Sequence, residues 1–88
     1  MVIGSLVTFS NIHWKTNKLA LWQTKLEDNG GSNIIGYIYW GDICIVLDYA
    51  SERYAKVLDE EILIGPELFI LTQNGFSGWI EAEALIVI

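Results

Sequence analysis

The chain has 88 residues and a mass of 9.9 kDa, so we expect residues 1–88 to form a single small domain. Hydrophobic residues make up 52% and charged residues 18%, a composition that predicts folding and excludes intrinsic disorder. Five basic against eleven acidic residues give a net charge of −6, which argues against nucleic-acid and membrane partners. One Cys and one His exclude an internal disulfide and a Cys/His zinc site.

Short runs of β-branched and aromatic residues, separated by glycines, predict strands along most of the chain. In chain order the predicted strands are 6–9, 34–39, 43–47, 54–58, 68–72, 77–80 and 85–88. The run 43–47 is uniformly apolar, which is typical of a strand covered on both faces. The Asn74-Gly75 pair predicts a tight hairpin turn of type I′, with positive φ at both residues.

Two segments are ambiguous. Residues 17–26 could form a helix that begins at Asn17 and places Leu19, Trp22 and Leu26 on one face, or they could form a strand. We favour a strand or a long hairpin arm, because strand signals dominate the rest of the chain. Residues 59–63 begin with acidic side chains that suit either a short helical turn or a loop, and we interpret them as a loop.

Six or seven short strands with few helical signals predict an all-β fold, either a small barrel or a sandwich. A flat sheet would leave apolar edges exposed to solvent. Pairing of the last strand, 85–88, with the first, 6–9, would close the sheet and remove these edges.

The second half of the chain carries a recognisable order of motifs. Gly41-Asp42 precedes the apolar run 43–47, a Tyr-x-Lys-Val strand follows at 54–57, and the sequence Asn-Gly-Phe-Ser-Gly-Trp-Ile at 74–80 precedes Leu85. This order resembles the SH3-like small barrel. The resemblance implies about six short strands with a long N-terminal hairpin-like insertion, and a 3₁₀ turn over 81–84 before a last strand that pairs with the first.

Within that family the chain is most similar to small SH3-like proteins encoded by tailed bacteriophages, including phages of marine bacteria. This resemblance implies a phage origin and a location in the host cytoplasm or the virion. A cytoplasmic location also fits the absence of a signal-peptide pattern in residues 1–14 and of any apolar run near membrane-span length. Eukaryotic modules that bind Pro-rich peptides have Pro-x-x-Tyr in the 3₁₀ turn, whereas this chain has Glu-Ala-Glu-Ala, so we expect no such binding.

No residue constellation points to catalysis. His13 has no nucleophile motif to serve, and Cys44 lies between two isoleucines, where desolvation raises a thiol pKa and makes a poor nucleophile. The acidic groups lack metal-binding spacing, and the Gly30-Gly31 pair lacks the motif of a phosphate-binding loop. We therefore predict a non-enzymatic protein with no cofactor and no metal.

The aromatic residues are the best candidates for an interaction surface. Strand alternation places Tyr37 and Tyr39 on one face and Ile38 and Trp40 on the other, so one aromatic face is expected to be exposed. Trp79 is expected to pack in the core or line a groove. The predicted interaction surface comprises Trp14, Trp22, Tyr37, Tyr39 and Trp40.

Two functions are compatible with these features. The first is an interaction or structural module that binds a protein partner through its aromatic residues, with a twofold homodimer as one form of this. The alternative is an accessory or regulatory subunit of a larger redox or photosynthetic enzyme complex, a role in which SH3-like barrels are also found.

Overall fold

A computed structural model describes residues 3–9, 17–25 and 33–88. Strands make up 65% of these residues and none of them lies in an α-helix, which confirms the all-β prediction. The strands are β1 (Leu6–Phe9), β2 (Lys18–Trp22), β3 (Ile34–Tyr39), β4 (Ile43–Ala50), β5 (Arg53–Val57), β6 (Glu60–Ile64), β7 (Glu67–Thr72), β8 (Ser77–Glu81) and β9 (Leu85–Val87). A 3₁₀ turn (Ala82–Ala84) connects β8 to β9.

Seven of the strands form one antiparallel sheet in the order β3-β2-β8-β7-β4-β1-β9, and β5 and β6 form a separate hairpin. The predicted pairing of the last strand with the first is confirmed, since Val87 lies opposite Val7 and Leu85 opposite Phe9. The 3₁₀ turn before β9 also lies within the predicted segment 81–84.

The sheet does not close within the described residues, because β3 and β9 stand at its two ends and are not paired. The predicted SH3-like barrel is therefore not confirmed. The turn after β3 uses two polar groups of that edge. The Asp42 carboxylate accepts a hydrogen bond from the Tyr39 N–H at 2.9 Å, and the Asp42 N–H donates to the Tyr39 carbonyl at 2.9 Å. The N–H and C=O groups of Tyr39 thus form hydrogen bonds within the turn and do not pair with a further strand.

The open sheet nevertheless curls around one core. Residues 40–42 alone connect β3 to β4, although these strands stand four positions apart in the sheet. Every strand of the sheet contributes to a single buried cluster, which comprises Val7, Phe9, Leu21, Ile38, Cys44, Val46, Leu68, Ile70, Ile80, Ala84 and Leu85. One face of the sheet therefore encloses the core, and much of the opposite face is turned to solvent.

The ambiguous segment after Asn17 forms a strand, and the helical alternative is wrong. Along β2, Leu21 is buried and Leu19 packs against the core, whereas Lys18 is exposed. This alternation is the period-2 pattern of a strand. β2 pairs with β3 as a two-stranded arm, and it joins the main sheet where Trp22 lies opposite Trp79.

The loop predicted for 59–63 is wrong, because Glu60–Ile64 forms β6 and pairs with β5. The two residues between these strands, Leu58 and Asp59, have φ values of 52° and 64°. Positive φ at both positions of a two-residue loop is the geometry of a type I′ turn. The acidic residues suit this strand because most of the hairpin is exposed to solvent.

The hairpin at Asn74-Gly75 is confirmed, but its turn type differs from the prediction. Only Gly75 has positive φ, at 85°. Its N–H donates to the Thr72 carbonyl at 3.1 Å, and the Thr72 N–H donates to the Phe76 carbonyl at 2.8 Å. The connection is therefore a three-residue loop over 73–75 with glycine in the left-handed position, which sets the register between β7 and β8.

Candidate functional site

A row of aromatic side chains crosses the outer face of four neighbouring strands. In β3, Tyr37 and Tyr39 lie opposite Ala20 and Lys18 of β2. Directly paired residues of antiparallel strands share a face, so both tyrosines lie on the same side of the sheet as the next alternate residue, Trp22. Trp22 lies opposite Trp79, and Trp79 lies opposite Phe69. We call this surface the aromatic strip; it comprises Tyr37, Tyr39, Trp22, Trp79 and Phe69.

The aromatic strip has a packed end and an exposed end. The rings of Phe69 and Trp79 lie 5.2 Å apart between centroids and are tilted by 47°, and both side chains are half-buried. This is a favourable arrangement for two aromatic rings. At the other end, Tyr37 and Tyr39 are 40% and 50% exposed. The strip is therefore supported by the sheet on one side and available to a partner on the other.

Two lysines lie over this aromatic surface. The Lys18 ammonium is 4.6 Å from the centroid of the Tyr37 ring, and the Lys25 ammonium is 5.9 Å from that of Trp79. Both distances fall within the range of cation–π contacts. Two of the five basic residues of an acidic chain thus lie on the β2 side of the strip. Carboxylates lie at its other end, where Asp48 is opposite Phe69 and Glu81 follows Trp79 on the same face. The lysine end of this surface can bind apolar side chains that are accompanied by carboxylates.

The predicted interaction residues are only partly brought together. Trp22, Tyr37 and Tyr39 all belong to the aromatic strip. Trp40 directly follows β3, lies in the turn to β4 and is 62% exposed. Trp14 lies outside the described residues.

Sequence reasoning missed two members of the strip. Trp79 was expected to pack in the core or line a groove, but its ring lies on the outer face beside Phe69. The signal that could have placed them is the register of the 73–75 hairpin, which sets Phe69 directly opposite Trp79. That register depends on the loop having three residues instead of two.

A second apolar surface lies on β1, β4 and β9. The prediction that run 43–47 is covered on both faces is wrong, because Cys44 and Val46 are buried while Ile43, Ile45 and Leu47 are exposed. Leu6 lies opposite Ile45 and is also exposed. We call this surface, with the exposed Leu6, Ile43, Ile45 and Leu47, the aliphatic patch; it carries no aromatic rings and so differs from the aromatic strip.

The chemistry of the described side chains adds no reactive group. Cys44 is a free, buried thiol, and burial together with the nearby Asp42 carboxylate raises its pKa to about 11. The prediction of a desolvated core thiol is confirmed. No group of three or more His, Cys, Asp or Glu side chains that could hold a metal ion occurs in the described part of the chain.

No protein-family model, curated protein or solved structure matches the chain. The resemblance to SH3-like phage proteins therefore stays a prediction. Within residues 3–9, 17–25 and 33–88, the structure contains no helix with the length and hydrophobicity needed to cross a bilayer.

Proposed function

We propose that this protein is a non-enzymatic interaction module that binds a protein partner through the aromatic strip. The observation that carries the proposal is the exposure of Tyr37 and Tyr39 on a face that continues into half-buried Trp22, Trp79 and Phe69. Large apolar patches on small domains mark interaction sites. Tyrosine and tryptophan are also enriched at the energetically dominant positions of interfaces.

Rigidity favours the aromatic strip over the aliphatic patch around Ile43 and Ile45. Tyrosine and tryptophan present large areas with only two side-chain torsions each, so ordering them on binding loses little entropy. The Lys18 and Lys25 ammonium groups add charge that discriminates between partners. The overall charge of −6 supports a protein partner over a nucleic acid.

The proposal includes an SH3-like character and a phage origin, with the protein located in the host cytoplasm or the virion. The SH3-like character is supported by the order of the Gly78-Trp79-Ile80 strand, the 3₁₀ turn Ala82–Ala84 and a last strand paired with the first. The phage origin and the location rest on the sequence resemblance alone. The unpaired edge of β3 departs from a closed barrel. A partner could be another protein or a second copy of this chain.

Partner capture with two matched tyrosine variants tests the proposal. Tyr39 and Tyr49 are 50% and 48% exposed and both lie in strands, but only Tyr39 belongs to the aromatic strip. We expect Tyr39→Ser to weaken binding of the captured partner at least tenfold, in keeping with loss of an interface tyrosine. Tyr49→Ser should bind as the unchanged protein does. Equal binding by both variants, measured by titration calorimetry, would contradict the proposal.

A further inference from the structure

The tip of the β5–β6 hairpin presents a leucine in an unfavourable setting. Leu58 is 88% exposed and has a φ of 52°. The left-handed region is disfavoured for residues with a side chain, and type I′ turns strongly prefer Asn-Gly. The isolated chain therefore gains nothing from leucine at this position, in either backbone energy or burial. Strained, exposed positions of this kind point to a use for the side chain outside its own domain.

The leucine is accompanied by acidic side chains. Asp59 and Glu60 complete the turn and are exposed, while Glu61 lies opposite Lys56 across the hairpin. We call Leu58, Asp59 and Glu60 the hairpin tip. It is an apolar knob with two carboxylates beside it.

The hairpin holds this tip away from the sheet but is fixed at its base. Its strands contact each other extensively and make few contacts with other elements. At the base, the Arg53 guanidinium forms an ion pair with the buried Glu67 carboxylate of β7 and donates to the Ser51 carbonyl at 3.2 Å. Ala55 and Ile64 are buried there as well. The hairpin tip is thus presented from an anchored arm.

The hairpin tip and the aromatic strip are complementary in chemistry. The end of the strip near β2 offers aromatic rings with Lys18 and Lys25 over them, and the tip offers a leucine bordered by Asp59 and Glu60. Docking at this end keeps the tip away from Asp48, which lies opposite Phe69 at the other end. At a net charge of −6, two copies repel each other in most orientations, and this pairing brings opposite charges together.

We infer that the hairpin tip of one copy docks on the aromatic strip of a second copy. Leu58 then packs against the rings, and Asp59 and Glu60 approach the lysines. The inference rests on the proposed function, because it uses the same binding surface. The two surfaces are different, so in a single contact one copy keeps its aromatic strip free and the other copy keeps its hairpin tip free. The free surfaces allow either a reciprocal twofold dimer, in which each tip docks on the other copy's strip, or a ring or filament.

Sedimentation velocity over a micromolar concentration series tests the inference with Leu58→Asn. Asparagine tolerates positive φ and carries no apolar knob. We expect the unchanged protein to associate as its concentration rises, and the Leu58→Asn variant to stay monomeric with a higher Tm. The higher Tm separates loss of docking from loss of folding. As a control, Leu6→Asn alters an exposed leucine of the aliphatic patch and should leave the association unchanged.

A charge exchange provides a second test of the inference. Lys18→Glu should weaken the association at least tenfold, and adding Glu60→Lys to that variant should restore most of it. A monomeric unchanged protein, or association that persists in Leu58→Asn, would overturn the inference. Loss of the captured partner in Tyr39→Ser would still support the proposed function in that case, so the two failures are distinguishable.

Discussion

Replacing Gly78 by valine is expected to lower the free energy of unfolding by about 3 kcal/mol, in the upper part of the range for overpacking a core. A Cβ at Gly78 would lie 3.0 Å from the Trp22 carbonyl oxygen, 3.0 Å from Ile35 Cδ1 and 3.1 Å from Leu21 Cβ. The carbonyl belongs to the backbone and cannot rotate away. Because β2 is registered with β8 at a single pair, Trp22 with Trp79, the added atoms would push the β2–β3 arm off the sheet.

Chemical denaturation of three variants measures this effect. Gly78→Ala should lose about half as much stability as Gly78→Val, since it adds one carbon instead of three. Gly65→Ala is the matched control, because no atom lies within 4 Å of a Cβ there and its φ is ordinary. We expect the control to stay within about 0.5 kcal/mol of the unchanged protein. A Gly78→Ala variant as stable as Gly65→Ala would show that β2 and β8 are not in close contact.

The stability of the protein should fall by about 2 to 3 kcal/mol more than that of Cys44→Ala between pH 9 and pH 11. The pKa of the buried Cys44 thiol is raised from 9.0 to about 11, first by desolvation and second by Asp42. Between these values the unfolded chain has released the thiol proton and the folded chain has not. Stability therefore decreases as pH rises, by about 1.4 kcal/mol for each pKa unit, and the contribution is complete below pH 9.

Urea titrations at a series of pH values provide the measurement. Cys44→Ala removes the titrating thiol, and all other side chains are common to both proteins. The difference between the two proteins should therefore be flat below pH 9 and change above it. Parallel stability curves up to pH 11 would mean that the thiol is not desolvated in the folded state.

The strands that the sequence predicts well are those with strong local signals. Alternation places Tyr37 and Tyr39 on one face of β3 and the buried Ile38 on the other face, and β2 alternates in the same way. The pairing of β9 with β1 was also predictable, because two apolar edges are stabilised by covering each other.

The errors arise where local pattern and tertiary context differ. The run 43–47 is apolar at every position, but a single curled sheet encloses only one face, so Ile43 and Ile45 remain exposed. The acidic Glu60 and Glu61 suggest a loop, but both lie in strand β6. Their side chains are exposed because β5 and β6 form a two-stranded ribbon. The open edge at β3 depends on the order of all the strands in the sheet, and the strip's Phe69–Trp79 contact depends on hairpin register. Neither can be predicted from the spacing of hydrophobic residues along the chain.

Hydroxyl-radical footprinting of the free protein and of its partner-bound complex tests most directly whether the aromatic strip is the binding surface. Tyr37 and Tyr39 are exposed in the free chain and should be labelled there. The account predicts that binding protects both tyrosines and leaves the labelling of Tyr49 unchanged. Equal labelling of Tyr37 and Tyr39 in the free and bound states would contradict it.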